Sequence, residues 1–334
     1  MRRRADAATP LDGVDVVLAD LDGVVYAGAH AIPHAVESLN AAAASVRVGY
    51  ITNNASRTDA MVAEHLRELG LRAQPTDVVT SPQAAMTVLN GLVPPGSTVL
   101  VVGGDGLVDE LQKAGFAVTR SADDAPAAVI QGFAPEVGWA QLAEASYALA
   151  DNALPWVATN TDWTIPQARG IAPGNGTLVS AVHTAVGRLP VVAGKPEVPI
   201  FTEAVTRFGA RHPLFIGDRL DTDILGSTRA GIASVLVLTG IDRAKQLLAA
   251  VTDQRPTFIL DDLRGLSAPY PPTELTDDGR SATVGRARVV LDGDDVVIRR
   301  GGDGGIDLLR AACAVIWNSG RAIYGLNVPE SLYR

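Results

Sequence analysis

A largely apolar segment that ends in an acidic residue most constrains the fold of this chain. Val14–Asp20 has the composition of a buried parallel strand. A helical segment, Ile32–Ser45, and a second apolar segment, Val46–Thr52, follow it, and an amphipathic helix is predicted over Arg57–Leu69 with Gly70 at its end. Because strands and helices alternate, the connections must be right-handed crossovers, and the sequence predicts an α/β fold with a parallel sheet.

The same alternation returns late in the chain. The sequence predicts short strands at Leu214–Gly217, Ser234–Leu238 and Thr257–Leu260. It predicts a helix at Asp221–Ala230, between the first two of these strands. We expect these strands to join the strand at the beginning of the chain in one sheet.

A second region of alternating strands and helices lies between these two parts. Its predicted elements are Thr98–Val102, Leu107–Ala114, Ala127–Gln131, Val137–Ala150, Trp156–Thr159 and Leu178–Val186. We interpret this region as a domain inserted into the first one. The predicted organisation is a disordered arm at 1–12, a core formed by 13–91 and 190–266, and an inserted domain at 92–189.

The last part of the chain, 267–334, is predicted to be a linker and a small α+β extension. The proline-rich segment Ser267–Thr273 is typical of a linker. Arg286–Leu291 and Val296–Arg300 indicate a β-hairpin, and Ile306–Trp317 indicates a helix. The extension has too few residues for an independent hydrophobic core.

Charge and cysteine usage exclude several classes of protein. The formal net charge of −9 argues against a nucleic-acid or anionic-membrane binder, because both need clustered Lys and Arg. The basic run Arg2–Arg4 is not followed by the apolar segment of a secretory signal. The single cysteine, Cys313, fits a reducing compartment. We expect a cytoplasmic protein that binds neither nucleic acid nor membranes. Formation of a homo-oligomer is possible.

Four short segments carry polar side chains suited to phosphoryl chemistry. They are Asp20–Tyr26, Ile51–Asn54, Gly194–Pro196 and Ile216–Asp223. The first, second and fourth lie just past an apolar strand. Because ligands of an open parallel sheet bind beyond the carboxyl ends of its strands, we expect these segments to meet at one crevice.

The acidic residues of these segments suit metal-assisted phosphoryl transfer. Asp20 and Asp218 offer hard oxygen ligands of the kind that Mg²⁺ prefers, and the cation would also polarise a phosphoryl oxygen. An ionised Asp20 can attack phosphorus and form an aspartyl phosphate. Asp22, on the same side of an extended chain, can protonate the leaving alkoxide and later deprotonate water. Gly23 lets the chain turn away after the strand.

The remaining polar residues suit phosphate binding. Thr52 supplies a hydroxyl, Asn53 and Asn54 supply amide groups ahead of a predicted helix, and Lys195 supplies a positive charge. Each segment alone is typical of an ordinary turn or solvated loop. Together, and in this order, they provide a nucleophile, an acid, metal ligands and a phosphate clamp.

These four segments resemble the four motifs of the haloacid dehalogenase-like phosphatases, subfamily IIA (NagD-like), and the resemblance extends over 11–266. It implies a doubly wound parallel-sheet (Rossmannoid) core with an inserted α/β cap of type 2 at 92–189, which closes over the substrate. It also implies Mg²⁺ as the cofactor, bound by the Asp20 carboxylate, the Asp22 backbone carbonyl and the Asp218 carboxylate, with Asp223 acting nearby. Thr52, Asn53 and Lys195 would bind phosphate.

Two further stretches of the chain resemble particular phosphatases within this family. Ala158–Asp162 and Pro173–Thr177 are similar to the cap of phosphoglycolate and glycerol 3-phosphate phosphatases, which implies substrate contacts for Asp162 and Asn175. The linker and extension resemble those of actinobacterial glycerol 3-phosphate phosphatases, where the tail is similar to part of an acetyltransferase fold. No feature of this tail supports acetyl transfer, and we interpret it as structural or regulatory.

The resemblance therefore implies Mg²⁺-dependent hydrolysis of glycerol 3-phosphate through an aspartyl phosphate. The four motifs act on phosphate and metal, so they leave 2-phosphoglycolate, a nucleoside monophosphate or another small phosphate ester open as substrates. A function of another class, a non-catalytic module that binds a phosphometabolite, is the remaining alternative.

Overall fold

The computed structural model describes residues 8–167 and 169–333. Its strands are β1 (Val16–Ala19), β2 (Tyr26–Ala27), β3 (His30–Ala31), β4 (Arg47–Thr52), β5 (Val78–Thr80), β6 (Thr98–Val102), β7 (Ala117–Thr119), β8 (Ala128–Gln131), β9 (Trp156–Ala158), β10 (Thr164–Gln167), β11 (Gly170–Pro173), β12 (Val191–Val192), β13 (Pro213–Gly217), β14 (Ala233–Val237), β15 (Phe258–Leu260), β16 (Thr273–Leu275), β17 (Ser281–Val284), β18 (Ala287–Asp292) and β19 (Asp295–Gly301). Its helices are α1 (Ala35–Ala42), α2 (Asp59–Glu68), α3 (Ser81–Asn90), α4 (Asp105–Lys113), α5 (Trp139–Ala148), α6 (Asn175–Val186), α7 (Val198–Phe208), α8 (Leu225–Arg229), α9 (Ala244–Leu248) and α10 (Gly305–Asn318).

The described residues divide into two compact units. The first contains 8–48, 69–71 and 210–333, and the second contains 49–68 and 72–209. The boundaries predicted for the inserted domain, 92 and 189, stay a prediction. Of the predicted arm, residues 1–7 lie outside the described residues, and a turn follows in which the Asp12 N–H donates to the Thr9 carbonyl at 3.1 Å.

The first unit contains a parallel sheet in which β15, β14, β13 and β1 are neighbours in that order. Every residue of β1 is buried, as the apolar composition of this strand predicts. Val16 lies opposite Pro213 and Ala19 opposite Ile216, so β1 and β13 run in register toward the same edge. The prediction that late strands join the first strand is therefore confirmed, and Asp20 and Asp218 follow at that shared edge.

The C-terminal extension belongs to the first unit. Its strands β16 to β19 form an antiparallel sheet, and the predicted hairpin is confirmed by β18 and β19, with Asp292 opposite Asp295. Side chains of this sheet and of α10 share one hydrophobic cluster with Leu236, Leu247 and Ile259. The extension thus has no separate core in the part of the chain that the structure describes.

The second unit contains a parallel sheet in which β12, β9, β8, β6 and β7 are neighbours in that order. Trp156 packs in its core with side chains of the sheet and of α6. The strands and helices predicted for this region are present, with ends shifted by a few residues. A hairpin of β10 and β11 adds to them, and β4 pairs in parallel with β5.

Within 8–167 and 169–333, every helix is too short or too polar to cross a bilayer.

Candidate active site

Three buried carboxylates lie together in the first unit. Asp20 follows β1, Asp218 follows β13, and Asp223 lies in the segment Leu220–Ile224; their exposed fractions are 8%, 1% and 0%. One carboxylate oxygen of each residue lies within 4.8 Å of the other two. Buried like charges at this separation are unfavourable without a cation, and oxygen ligands suit Mg²⁺. This acidic cluster therefore fits a magnesium site.

Three glycines let the chain approach the acidic cluster closely. A Cβ atom on Gly23 or on Gly240 would overlap the Asp218 carboxylate, and one on Gly217 would overlap the Asp223 side chain. Gly23 also has a positive φ of 82°, a conformation that L side chains rarely adopt. The turn predicted at Gly23 is therefore needed for both its conformation and its contact with Asp218.

Asp223 is placed by a widened helical turn. The helix predicted over Asp221–Ala230 begins as a π-helical segment, in which the Ile224 N–H donates to the Arg219 carbonyl at 3.1 Å, and continues as α8. This turn lets Asp223 Oδ2 accept the N–H groups of Asp218 at 3.0 Å and of Arg219 at 3.1 Å. Asp223 thus shapes the loop that carries Asp218.

Asp22 differs from Asp20 in its exposure. It lies in a tight turn, in which the Leu21 carbonyl accepts the N–H groups of Val25 at 2.8 Å and of Tyr26 at 3.1 Å, and it is exposed. Its carboxylate is not part of the acidic cluster found among the described residues. An exposed acid next to a buried one is suited to exchanging protons with a bound molecule or with water.

The residues predicted to bind phosphate lie in the second unit. Thr52 ends β4 and is buried, and its Oγ1 accepts the Asn54 N–H at 3.1 Å. Asn54 Oδ1 accepts the N–H and the hydroxyl of Ser56 at 2.9 and 2.8 Å. The Asn54 carboxamide oxygen therefore closes a local turn.

Asn53 is hydrogen-bonded to two other predicted site residues. Its Oδ1 accepts the Lys195 N–H at 2.8 Å, and its Nδ2 donates to the Lys195 carbonyl and to Asp162 Oδ1, both at 3.0 Å. Lys195 is only 3% exposed. Both amide hydrogens of Asn53 are thus donated within the protein, and the backbone of Lys195 is fixed on both sides of its Cα atom.

Two further asparagines support this arrangement. Asn160 Nδ2 donates to the Asn53 carbonyl at 2.8 Å, and Asn175 Nδ2 donates to the Asn160 carbonyl at 2.7 Å. Asn175 is 1% exposed, and its hydrogen bond to Asn160 holds the backbone of the loop that leads to Asp162. Asn160 was not predicted, although it follows a predicted strand in the same way as Asp20 does.

Two residues that contact the loops around the acidic cluster were also not predicted from the sequence. Thr239 donates its hydroxyl hydrogen to the Gly23 carbonyl at 2.7 Å, and Asp242 Oδ2 accepts the Leu220 N–H at 2.6 Å. Burial raises the pKa of Asp242 above its usual value. Both residues could have been predicted from the sequence, because they follow β14. Residues just beyond the carboxyl end of a parallel strand are the ones expected to line a binding site.

Comparison with protein families assigns the class of protein. Residues 17–117 match the haloacid dehalogenase-like hydrolase model, and residues 192–266 match the HAD-hydrolase-like model. The chain belongs to the haloacid dehalogenase-like hydrolases, in subfamily IIA, as the four segments indicate.

Individual relatives are similar over most of the chain. D-glycerol 3-phosphate phosphatase of Mycobacterium tuberculosis is 42% identical over 91% of this chain and 86% of its own length. Glycerol-3-phosphate phosphatase of Gallus gallus is 35% identical over 72% of this chain and 85% of its own. A crystal structure of a glycerol phosphate phosphatase from Mycobacterium tuberculosis, in complex with magnesium, superposes with a TM-score of 0.86 at 39% identity, covering 96% of this chain and 95% of that one.

Proposed function

We propose that this protein is a magnesium-dependent phosphatase that hydrolyses glycerol 3-phosphate to glycerol and phosphate. The observation that carries the proposal is the buried acidic cluster of Asp20, Asp218 and Asp223. The choice of substrate is supported by relatives that bear the name of this activity and match nearly the whole chain.

The proposed nucleophile is the Asp20 carboxylate. The carboxylates of Asp20 and Asp218 and the backbone carbonyl of Asp22 would hold Mg²⁺, with Asp223 close by. When bound, the cation offsets the charge of the carboxylates and polarises a phosphoryl oxygen. Asp20 attacks phosphorus, its new P–O bond replaces the bond to the glycerol oxygen, and an aspartyl phosphate forms.

Asp22 is the proposed general acid and base. In the first step it gives its proton to the leaving glycerol alkoxide, and in the second it takes a proton from a water molecule. That water attacks the aspartyl phosphate, releases inorganic phosphate and restores the Asp20 carboxylate. The exposure of Asp22 supports this role, because it must exchange protons with both water and substrate.

Thr52, Asn53, Asn54 and Lys195 are the proposed phosphate-binding residues. The Lys195 ammonium group supplies the positive charge, and Thr52 supplies a hydroxyl. Because both side-chain amide hydrogens of Asn53 are donated to Lys195 and Asp162, we assign its phosphate contact to the backbone N–H. The Asn53 side chain then serves to position Lys195.

The proposed substrate-covering cap is the inserted region 92–189. Within it, Asp162 and Asn175 are proposed to contact the substrate, and the Asn175 side chain also supports the loop that carries Asp162, through Asn160. A cytoplasmic location is also proposed, and the single, buried cysteine supports it.

A panel of phosphate esters tests the proposed reaction. With Mg²⁺ present, we expect the highest kcat/KM for glycerol 3-phosphate among glycerol 3-phosphate, 2-phosphoglycolate and a nucleoside monophosphate. Excess EDTA should abolish phosphate release, and added Mg²⁺ should restore it, because the acidic cluster needs its cation. A higher kcat/KM on another ester would reject the substrate, and binding of the esters without turnover would favour a non-catalytic module.

Replacing Asn53 by alanine tests the proposed placement of Lys195. Asn53→Ala removes the three side-chain hydrogen bonds to Lys195 and Asp162, and we expect kcat/KM to fall by roughly 10²-fold, as small displacements of binding groups can cause. Steady-state kinetics and thermal melting measure the effect. Asn40→Ala, which removes an exposed bond to the Gly70 carbonyl, is the matched control and should leave kcat/KM unchanged. Wild-type kcat/KM in Asn53→Ala would contradict this role.

A further inference from the structure

Four residues that follow β14, Thr239–Asp242, lie beside the acidic cluster, and we call them the strap. Its backbone lies directly against Asp218. The Ile241 N–H donates to Asp218 Oδ2 at 2.7 Å, and the Asp242 N–H donates to the Asp218 carbonyl at 3.1 Å. Gly240 lies so close that a Cβ atom there would overlap the carboxylate. The strap therefore fixes both the backbone and the side chain of Asp218.

The two polar side chains of the strap reach in different directions. The Thr239 hydroxyl donates to the carbonyl of Gly23, in the turn that follows Asp20 and Asp22. The Asp242 carboxylate accepts the N–H of Leu220, at the start of the π-helical segment that carries Asp223. These two hydrogen bonds tie the strap to the turn after β1 and to the loop after β13.

We propose that Thr239 and Asp242 are positioning residues that hold the turn after β1 and the loop after β13 in the geometry that binds Mg²⁺. The inference rests on the proposed function in taking Mg²⁺ as the cation of the acidic cluster. Neither side chain is assigned a contact with the metal; each acts through a backbone group within two residues of a proposed ligand. Partners of this kind orient metal ligands, and losing one lowers metal affinity by about 10–100-fold.

The strap also accounts for how distant parts of the sequence form one metal site. Asp20 and Asp218 are brought to the same edge by the pairing of β1 with β13, but strand pairing alone leaves the residues beyond the strand ends free to move. Hydrogen bonds from a third segment limit that movement. Because these hydrogen bonds form without the cation, less ordering of the turn and the loop should be needed when it binds.

Magnesium affinity in the absence of substrate tests the inference. We expect Thr239→Val and Asp242→Ala each to raise the Kd for Mg²⁺, measured by titration calorimetry on the full chain, by about 10–100-fold. Thr239→Ser keeps the hydroxyl and Asp242→Asn keeps an oxygen acceptor, so both should bind Mg²⁺ close to the wild-type Kd. Asp253→Ala, an exposed acidic residue of the same unit, is the control and should not change the Kd.

Thermal melting with and without Mg²⁺ separates positioning from general stability. In Thr239→Val and Asp242→Ala we expect the rise in Tm caused by Mg²⁺ to shrink, because that rise depends on the ratio of metal concentration to Kd. A lower metal-free Tm with an unchanged Kd would show a purely structural role and overturn the inference. Wild-type protein that does not bind Mg²⁺ would overturn the proposed function as well, whereas equal binding by wild type and variants would overturn only the inference.

Discussion

Asp20→Asn is expected to lower the rate of phosphate release from glycerol 3-phosphate by roughly 10⁴-fold or more, because removing a covalent nucleophile removes the reaction path itself. An amide is a poor nucleophile, and its carbonyl oxygen carries no full negative charge to share with a cation. The substitution changes neither the size nor the shape of the side chain. The variant should therefore fold, and the loss should appear in kcat.

Two measurements make this expectation specific to Asp20. Intact-mass spectrometry of acid-quenched enzyme should detect a phosphorylated form in the wild type during turnover, and this form should be absent in Asp20→Asn. Asp253→Asn, which changes an exposed aspartate of the same unit, should retain wild-type turnover. Turnover by Asp20→Asn equal to that of the wild type would reject Asp20 as the nucleophile.

The acidic cluster was predictable because it depends on strand order. Apolar segments that end in Asp20 and Asp218 can be recognised in the sequence, and parallel pairing of β1 with β13 brings their carboxyl ends to one edge. The spacing of two residues after Asp20 also indicated Asp22, whereas Asp223 was implied by the family resemblance. To bring Asp20 and Asp218 to one edge, the fold needs only to make these two strands neighbours.

Other features depend on side-chain geometry that no local pattern specifies. The π-helical turn that places Asp223 looks like an ordinary helix in the sequence. The hydrogen bonds of Asn53 to Lys195 and Asp162 join segments that are far apart in the chain, and their rotamers are set by packing. Helix α3 is a different case: its capping box of Thr80 and Gln83 is visible in the sequence and was overlooked.

Deleting the C-terminal extension is expected to have the largest effect on stability. A chain that ends at Leu266 would expose Leu247, Leu248 and Ile259, which are at most 4% exposed and pack in one cluster with the extension. Exposing a large aliphatic side chain costs about 1.5–3 kcal/mol, so fully exposing these three would cost roughly 4.5–9 kcal/mol. Because whole domains are stable by about 5–15 kcal/mol, the shortened chain should aggregate or melt at a much lower temperature.

Size-exclusion chromatography and thermal melting of the shortened and full-length chains measure this effect. A soluble, monodisperse 1–266 chain with the Tm of the full-length protein would show that the extension adds nothing to the core.

A point substitution in the full chain tests the same interface without deleting it. The buried Arg310 of α10 donates to the Ile259 carbonyl at 2.6 and 3.0 Å and lies 4.1 Å from the ring centroid of Tyr270.

Arg310→Met should lower Tm, because it leaves the carbonyl of Ile259, at the edge strand β15, without its buried donor. Arg299→Met, which changes a more exposed arginine of the same extension, is the matched control and should change Tm little. Phosphate release per folded molecule should be the same in both variants, since neither residue lies in the acidic cluster. A lower Tm only in Arg310→Met, together with unchanged kcat, would show that the extension acts on the fold and leaves the chemistry alone. Equal Tm values in the two variants would contradict the role assigned to Arg310.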